Sequence, residues 1–172
     1  MAARIEEAKL TGFPACISRR EVQVRDYRES FEASRHRIYS LAFWMTGSEP
    51  AAQELAVSTF CRAFALGPTS DAENLDHAFV AELREIAPLG SCTLQCDPCS
   101  PASGLQRNIK RVELECALVQ LPPTERLIFL LHDVEGYDHA RVSRLLGFSQ
   151  QESACGLHQA RLRLRELLTA MI

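Results

Sequence analysis

The sequence predicts an all-α fold with two small helical domains joined by a flexible linker. Almost every apolar stretch has helical spacing, with apolar residues three and four positions apart, and strand signals are scarce. This spacing stops between Pro88 and Gly104, where prolines, glycines and serines accumulate, and it resumes afterwards. We therefore expect two separate hydrophobic cores, one from residues 25–87 and one from residues 108–168.

Composition sets the broad class of the protein. A chain of 172 residues can hold one domain or two small ones. Its 47% hydrophobic and 24% charged residues are typical of a soluble globular protein. No apolar run approaches the roughly 20 residues that a membrane span needs, so no membrane association is expected. The N-terminus lacks the long apolar core of a signal peptide, which predicts a cytoplasmic location.

The N-terminal segment is predicted to be a loose arm over residues 1–22, followed by a first domain over residues 23–87. A long helix is expected from Arg25 to Thr46, where Gly47 ends it. The spacing of its apolar residues predicts an inner stripe of Phe31, Ile38, Leu41, Ala42 and Met45.

Two more helices complete the predicted first domain. Ser48 can cap the second helix, and Pro50 fits its first turn. A third helix is expected to start at Ser70-Asp71 and to stop at Pro88. The apolar positions of these two helices are Leu55, Thr59, Phe60, Ala63 and Phe64 in the second and Leu75, Phe79, Leu83 and Ile86 in the third.

The linker, residues 88–107, contains Cys92, Cys96 and Cys99 in a C-x3-C-x2-C pattern. Three close thiolates can bind one tetrahedral zinc ion, with Cys116 or a histidine as the fourth ligand. They can also form a reversible disulfide, hold an iron–sulfur cluster, or stay reduced without a function. Cys61 lies on a helical apolar stripe, as does Cys116, and both are predicted to be small core residues.

The second domain, residues 108–172, is predicted to contain a helix-turn-helix. A helix from about Ile109 to Leu121 opens it, and an apolar helix follows Pro122 and Pro123 and ends at Gly136. Asp138 has the chemistry to cap a short helix, and a tight turn leads into a longer C-terminal helix. Helix, glycine turn and capped helix are typical of this motif. The short helix carries Val142, Leu145 and Leu146, and the turn is Gly147-Phe148-Ser149.

Basic residues accompany this motif, although the formal net charge of the chain is −3. Arg161, Arg163 and Arg165 lie on the last helix, and Arg141 and Arg144 lie on the short one. Arginines near a helix-turn-helix are suited to contact the phosphates of DNA. The negative net charge is unusual, because a protein that binds nucleic acid usually presents a basic surface.

Two segments resemble the bacterial sigma-70 family, in particular its small extracytoplasmic-function (ECF) sigma factors. LPPTERLIFLLHDVEGYDHARVSRLLGFS, followed by LHQARLRLREL, resembles region 4 of that family. FEASRHRIYSLAFWMTGSEPAAQELAVSTFCRAFA resembles region 2. The resemblance implies an RNA polymerase sigma factor that binds core RNA polymerase and promoter DNA to direct transcription initiation, with an anti-sigma factor as a further candidate partner.

The second helix departs from the family's polymerase-docking pattern. The resemblance implies that Glu54, Leu55, Thr59 and Arg62 bind core polymerase. Val57 and Ser58 stand where the family has a glutamine and a second acidic residue, so the docking face loses a hydrogen-bonding side chain and a charge. The simpler alternative is that Glu54 is only a solvated helix residue.

The third helix departs further. Glu82 stands where the family has a tryptophan, and Glu85 and Pro88 stand where the family has basic residues. A carboxylate repels phosphate, and no aromatic side chain remains on this face to stack on a flipped base. Strand opening through this surface is therefore not expected without help.

The recognition helix shows the same trend. Glu152, Ala154 and Gly156 stand where the family usually has threonine, lysine and arginine, and Ser153 occupies a position that is normally apolar and buried. Glutamine can pair with adenine, so a changed sequence preference is conceivable. The residues that remain for DNA contact are Gln150, Gln151, His158, Gln159, Arg161 and Arg141.

Two functional interpretations follow. The first is a divergent ECF sigma factor, and the alternative is a sigma-derived protein-interaction or sensor module that has lost much of its promoter recognition. No enzyme is predicted, because the five histidines are dispersed and the glycines form no phosphate-binding loop.

Overall fold

The computed structural model describes residues 19–65, 72–90 and 109–171, with side chains from residue 24 onward. Within these ranges every regular element is a helix, which confirms the all-α prediction. Residues 1–18 of the predicted arm, the predicted start of the third helix at Ser70-Asp71 and residues 91–107 of the predicted linker lie outside the described ranges. None of the described helices combines the length and hydropathy that a membrane crossing requires.

Three helices form the N-terminal domain: α1 (Arg19–Thr46), α2 (Glu49–Ala65) and α3 (Ala72–Ile86). The first helix begins at Arg19, earlier than the predicted start at Arg25. It ends at Gly47, whose φ of 68° is a left-handed conformation that glycine adopts without strain. Buried side chains from all three helices form the core of this domain: Ile38, Leu41, Ala42, Met45, Leu55, Phe60, Leu75, Phe79 and Leu83.

Four side chains of the predicted core are exposed instead. Phe31 packs edge-on against Phe60, with 4.9 Å between ring centroids, but 39% of it stays exposed because it lines an open groove between α1 and α2. Ile86 is the last residue of α3 and is 59% exposed, since no further turn covers it. Cys61 and Cys116 are both exposed, so the prediction that they are core residues was wrong.

Four α-helices and one π-helical turn form the C-terminal domain. Pro123 is the first residue of the second of these helices, a position that tolerates the missing N–H of proline. The π-helical turn continues this helix before the chain reverses at Gly136. The elements are α4 (Arg111–Gln120), α5 (Pro123–Phe129), the π-helical turn (Leu130–Val134), α6 (His139–Leu146) and α7 (Gln150–Ala170).

The short helix α5 is buried on every side, from Thr124 to Ile128. Its Arg126 is buried, and burial lowers the pKa of the guanidinium. Arg126 Nη1 donates to the carbonyl oxygen of Met45 at 2.7 Å, and Nη2 donates to that of Leu121 at 2.8 Å and to that of Val119. This one side chain therefore binds the ends of α1 and α4 together.

The two domains share a buried cluster, so the prediction of two separate hydrophobic cores was wrong. Ile38 and Phe79 of the N-terminal domain belong to the same cluster as Leu127, Leu131 and Val142 of the C-terminal domain. The physical reason is that α5 presents apolar side chains on more faces than α7 alone can cover. A second, smaller cluster lies within the C-terminal domain and joins α4 to α7: Ala117, Leu118, Leu121, Ala160, Leu164 and Leu168.

Candidate nucleic-acid interface

Side-chain caps and a left-handed glycine define the ends of the two helices in the helix-turn-helix. Asp138 accepts a hydrogen bond from the Arg141 backbone N–H at 2.7 Å, which caps α6 as predicted. Gly147 ends α6 with a φ of 74°, a left-handed conformation. At the start of α7, Ser149 Oγ accepts from the Glu152 N–H at 3.1 Å, and the Glu152 carboxylate accepts from the Ser149 N–H at 2.7 Å. Local hydrogen bonds and the left-handed glycine thus define where α6 begins and ends and where α7 begins.

Glu152 has a structural partner that we did not predict. With Ser149 it forms a capping box, and the hydrogen bonds from Ser149 lower the pKa of the Glu152 carboxyl. The carboxylate therefore points back at the start of α7. The Ser-x-x-Glu spacing is a sequence signature of this cap and could have revealed it.

The inner face of α7 packs against the rest of the domain. Ser153 is fully buried, as the resemblance to the sigma-70 family implied, and its Oγ lies 3.1 Å from His139 Nδ1. Gly156 is also buried, beside Leu157, because it follows Ser153 by three residues and shares its helix face. The expectation that Gly156 stands at a DNA-reading position was therefore wrong.

The outer face of α7 is open to solvent. Gln150, Gln151, Ala154 and His158 are exposed, and the spacing of three and four residues places them along one side of the helix. Gln159 is half-buried at the edge of this face. The structure therefore brings most of the predicted base-contacting side chains together on an accessible surface.

Arg161 extends this face, but it is already paired. Its Nε donates to Asp133 Oδ2 at 2.9 Å and its Nη2 donates to Asp133 Oδ1 at 2.6 Å. The hydrogen bonds from Arg161 lower the pKa of the Asp133 carboxyl. The pair joins α7 to the π-helical turn. The Asp133 carboxylate also neutralises the positive charge with which Arg161 was predicted to contact phosphate.

Arg141 faces away from this surface, toward the N-terminal domain. Its Nη2 donates to Asp76 Oδ2 at 2.8 Å, and its guanidinium lies 3.8 Å from the centroid of the Tyr137 ring. Asp76 lies on α3 and is 2% exposed. Both arginines proposed from sequence as DNA contacts therefore hold carboxylates within the chain.

Two histidines stack beside the helix-turn-helix. The rings of His132 and His139 have centroids 4.5 Å apart and are tilted by 30°. Burial lowers the pKa of His139, and the neighbouring His132 and Arg161 lower it further. Sequence spacing did not pair these residues, because His132 lies in the π-helical turn and the chain reverses at Gly136 before it reaches His139.

Residues 111–164 match the family model described as Sigma-70, region 4. The C-terminal domain is a sigma-70 region 4 domain. The matched segment starts at the first residue of α4 and includes both helices of the helix-turn-helix, which confirms the resemblance found in this part of the sequence. A comparison with curated proteins gave no match.

Region 4 domains belong to transcription factors. The match therefore supports a general role for this chain in promoter binding and transcription regulation, and it implies RNA polymerase and promoter DNA as partners.

Outside the region 4 domain, the predicted polymerase-binding residues of α2 are of two kinds. Glu54 and Arg62 are exposed, and Arg62 Nε donates to a carboxylate oxygen of Glu82. Leu55 and Thr59 are buried, with Thr59 Oγ1 donating to the Leu55 carbonyl oxygen at 2.7 Å. The structure thus leaves Glu54 exposed to a partner, pairs Arg62 with Glu82, and buries Leu55 and Thr59 in the core beside α2.

The predicted metal ligands Cys92, Cys96 and Cys99 lie outside the described residues. Cys116, a candidate fourth ligand, is exposed on α4 of the region 4 domain. Over the described part of the chain, no three metal-binding side chains converge on one point. The zinc, iron–sulfur and redox alternatives for the linker therefore stay predictions.

Proposed function

We propose that this chain is an ECF-type sigma factor that binds core RNA polymerase and promoter DNA to direct transcription initiation. The observation that carries the proposal is the region 4 domain whose recognition helix, α7, leaves its outer face open to solvent. A helix of this kind enters the major groove with its N-terminal residues on the base edges. The capping box at Ser149 keeps that N-terminus ordered.

The proposed base contacts are Gln150, Gln151 and His158. A glutamine side chain can donate to and accept from adenine in the major groove, which favours an A·T pair at that position. Ala154 adds no polar group, and Arg161 is engaged by Asp133. We therefore expect weak binding to duplex DNA at physiological salt, with specificity aided by polymerase.

The proposed polymerase contact is the exposed side of α2. Glu54 lies three residues from Val57, which is 62% exposed, so a charged and an apolar side chain share one face. The neighbouring groove between α1 and α2 adds Phe31, Phe60 and Phe64. Polymerase binding would cover this apolar surface.

The alternative is a sigma-derived interaction or sensor module that has lost much of its promoter recognition. The use of Glu152 as a helix cap, the ion pairs of Arg141 and Arg161, and the acidic Glu82 and Glu85 on α3 favour it. The ion pairs engage positive charge, and the glutamates add negative charge, on surfaces that should meet phosphate.

Reconstituted transcription tests the two proposals. The purified chain is added to core RNA polymerase, and run-off transcripts are measured from the promoter of the chain's own gene. We expect a specific transcript that is lost with Gln150→Ala combined with Gln151→Ala and retained with the distal control Thr169→Ala. A chain that co-purifies with core polymerase but yields no specific transcript would favour the alternative.

A further inference from the structure

An open apolar groove lies between α1 and α2. Its volume is about 460 Å³, and aromatic rings from both helices line it. Phe31 of α1 packs against Phe60 of α2 with 4.9 Å between ring centroids, and the Phe60 ring lies 5.7 Å from that of Phe64. Over the part of the chain that the structure describes, Phe31 stays 39% exposed and Val57, on the outer side of α2, stays 62% exposed. A contiguous apolar surface with a polar rim is typical of a site of contact with another protein.

The outer side of α2 is apolar beside this groove. Val57 and Cys61 are four residues apart, so they lie one turn apart on the same face of the helix. Both side chains line the groove, and both are exposed. The face of a helix that meets solvent is usually charged or polar. This face of α2 is therefore suited to pack against a second apolar surface.

The two edges of the groove carry opposite charges. Arg35 of α1 and Gln53 of α2 both line the groove, and the exposed Glu54 follows Gln53 on the α2 edge. Arg35 Nε lies 3.0 Å from a carboxylate oxygen of Glu32, and both side chains of this ion pair are about half exposed. An exposed pair of this kind contributes little free energy, and the guanidinium has further N–H donors on its Nη atoms. Arg35 can therefore bind a second carboxylate across an interface.

This surface is complementary to itself. A two-fold axis along the groove places the α1 edge of one copy over the α2 edge of the other copy, which brings Arg35 of each copy toward Glu54 of the other. The same rotation covers Phe31 and Val57 in both copies. Pairing of one patch with itself about a two-fold axis is the commonest arrangement in homo-oligomers. A second copy of the chain therefore matches both the apolar surface and the charges of its rim.

We propose that two copies of this chain form a symmetric dimer through the groove between α1 and α2. Burial of the apolar side chains supplies most of the free energy of association, and the charge pairs fix the orientation of the two copies. The dimer goes beyond the proposed function and does not rest on it. It uses the same side of α2 as the proposed polymerase contact, so one copy cannot bind its partner copy and core polymerase through that face at once.

The first test measures the mass of the full chain in solution. Size-exclusion chromatography with light scattering, under reducing conditions, should give about twice the chain mass of 19.2 kDa at high protein concentration and a falling mass on dilution. Val57→Glu should shift the protein to the monomer, because it places a charge in the apolar contact. Val112→Glu is the matched control, since Val112 is 66% exposed on α4, outside the groove.

The control variant should dimerise as the parent does, and circular dichroism checks that both variants keep their helical content. A parent that stays monomeric up to its solubility limit would overturn the dimer and leave the groove to polymerase. A dimer that Val57→Glu leaves intact would also overturn the proposal, because its interface must then lie elsewhere.

The second test measures the charge pairing between copies. Arg35→Glu makes both edges of the groove acidic, and Glu54→Arg makes both edges basic. Each variant alone should self-associate at least about tenfold more weakly than the parent, because two attractive contacts per dimer become repulsive. An equimolar mixture of the two variants restores an attractive pair at both contacts and should recover the mass of the dimer. A mixture that stays monomeric, or single variants that dimerise as the parent does, would overturn this arrangement.

The third test uses Cys61 as a probe of the groove. The chain is alkylated with N-ethylmaleimide over a range of protein concentrations, and each cysteine is followed by peptide mass spectrometry. Cys61 should react more slowly as the concentration rises, because a second copy covers it, whereas the exposed Cys116 on α4 should keep its rate. Equal rates at Cys61 in monomer and dimer would overturn the proposal. These tests contain no polymerase and no DNA, so failure of the dimer and failure of the proposed function are distinguishable.

Discussion

Arg161 and Asp133 form a two-point ion pair across the C-terminal domain, with Nε to Oδ2 at 2.9 Å and Nη2 to Oδ1 at 2.6 Å. Arg161 extends the exposed face of α7, whereas Asp133 lies in the π-helical turn. Because the guanidinium is satisfied within the chain, a phosphate must compete with a carboxylate that is already in place. This relationship makes a direct prediction about DNA binding.

Asp133→Asn should strengthen binding to duplex DNA, because it removes the charge that competes for Arg161. One added phosphate contact should steepen the dependence of log affinity on log salt by roughly 0.9 units. Anisotropy titrations over a range of salt concentrations measure both effects. Adding Arg161→Gln to Asp133→Asn should return the salt dependence to that of the parent. If the parent and Asp133→Asn show the same salt dependence, Arg161 makes no phosphate contact.

Ala154→Lys should also strengthen DNA binding, because residue 154 is exposed between the proposed base contacts. We expect a similar increase of roughly 0.9 units in the salt slope and little change in the free energy of unfolding. Gly156→Arg is the contrasting variant. Since Gly156 is buried, its replacement must force a guanidinium into the packed face and lower stability. Equal stability of the two variants, measured by urea denaturation, would contradict this placement.

Acidification should destabilise the chain through His139. Burial lowers its pKa in the folded state, so the unfolded chain takes up the proton first as the pH falls. The stabilising contribution of the neutral ring is present above the unfolded pKa of about 6.5 and is lost as the pH falls toward the folded value. The free energy of unfolding of the parent, measured by urea denaturation at pH 7.5 and pH 5.5, should fall more than that of His139→Gln. An equal loss in both proteins would exclude His139 as the cause.

Ser149→Ala should lower the free energy of unfolding by about 1 kcal/mol, the usual loss when a serine N-cap is replaced by alanine. The capping box has two hydrogen bonds, and only the one accepted by Ser149 Oγ is removed. Ser149→Asp keeps an accepting oxygen at the cap and should retain most of the stability. Loss of DNA binding in the alanine variant at unchanged stability would show that Ser149 acts at the interface instead.

The linker cysteines allow a chemical test. If Cys92, Cys96 and Cys99 bind metal, reduced protein should purify with close to stoichiometric zinc or iron, and Cys96→Ser should remove it. Acidification should also release the metal, because thiolate ligands must lose their protons to bind. Elemental analysis measures both. Metal-free protein whose three thiols alkylate freely would leave the redox alternative or no function.

Local signals along the chain were sufficient for the helix-turn-helix. The cap at Asp138, the turn at Gly147 and the apolar spacing of α6 were all predicted, and all are present. They depend on interactions between residues within about one helical turn, which a sequence pattern records directly. The burial of Ser153 was implied by the resemblance to the sigma-70 family, in which this position is apolar and buried, and the structure confirms it.

Only the tertiary structure decided how the two domains meet. An apolar stripe shows that a helix face will be buried, but it does not specify the partner, and α5 has apolar side chains on several faces. The shared cluster and the contact of Asp76 with Arg141, 65 positions away, arise from that packing. The exposure of Phe31 depends in the same way on which helices lie beside it. Such contacts depend on the positions of whole helices in space, which local spacing does not encode.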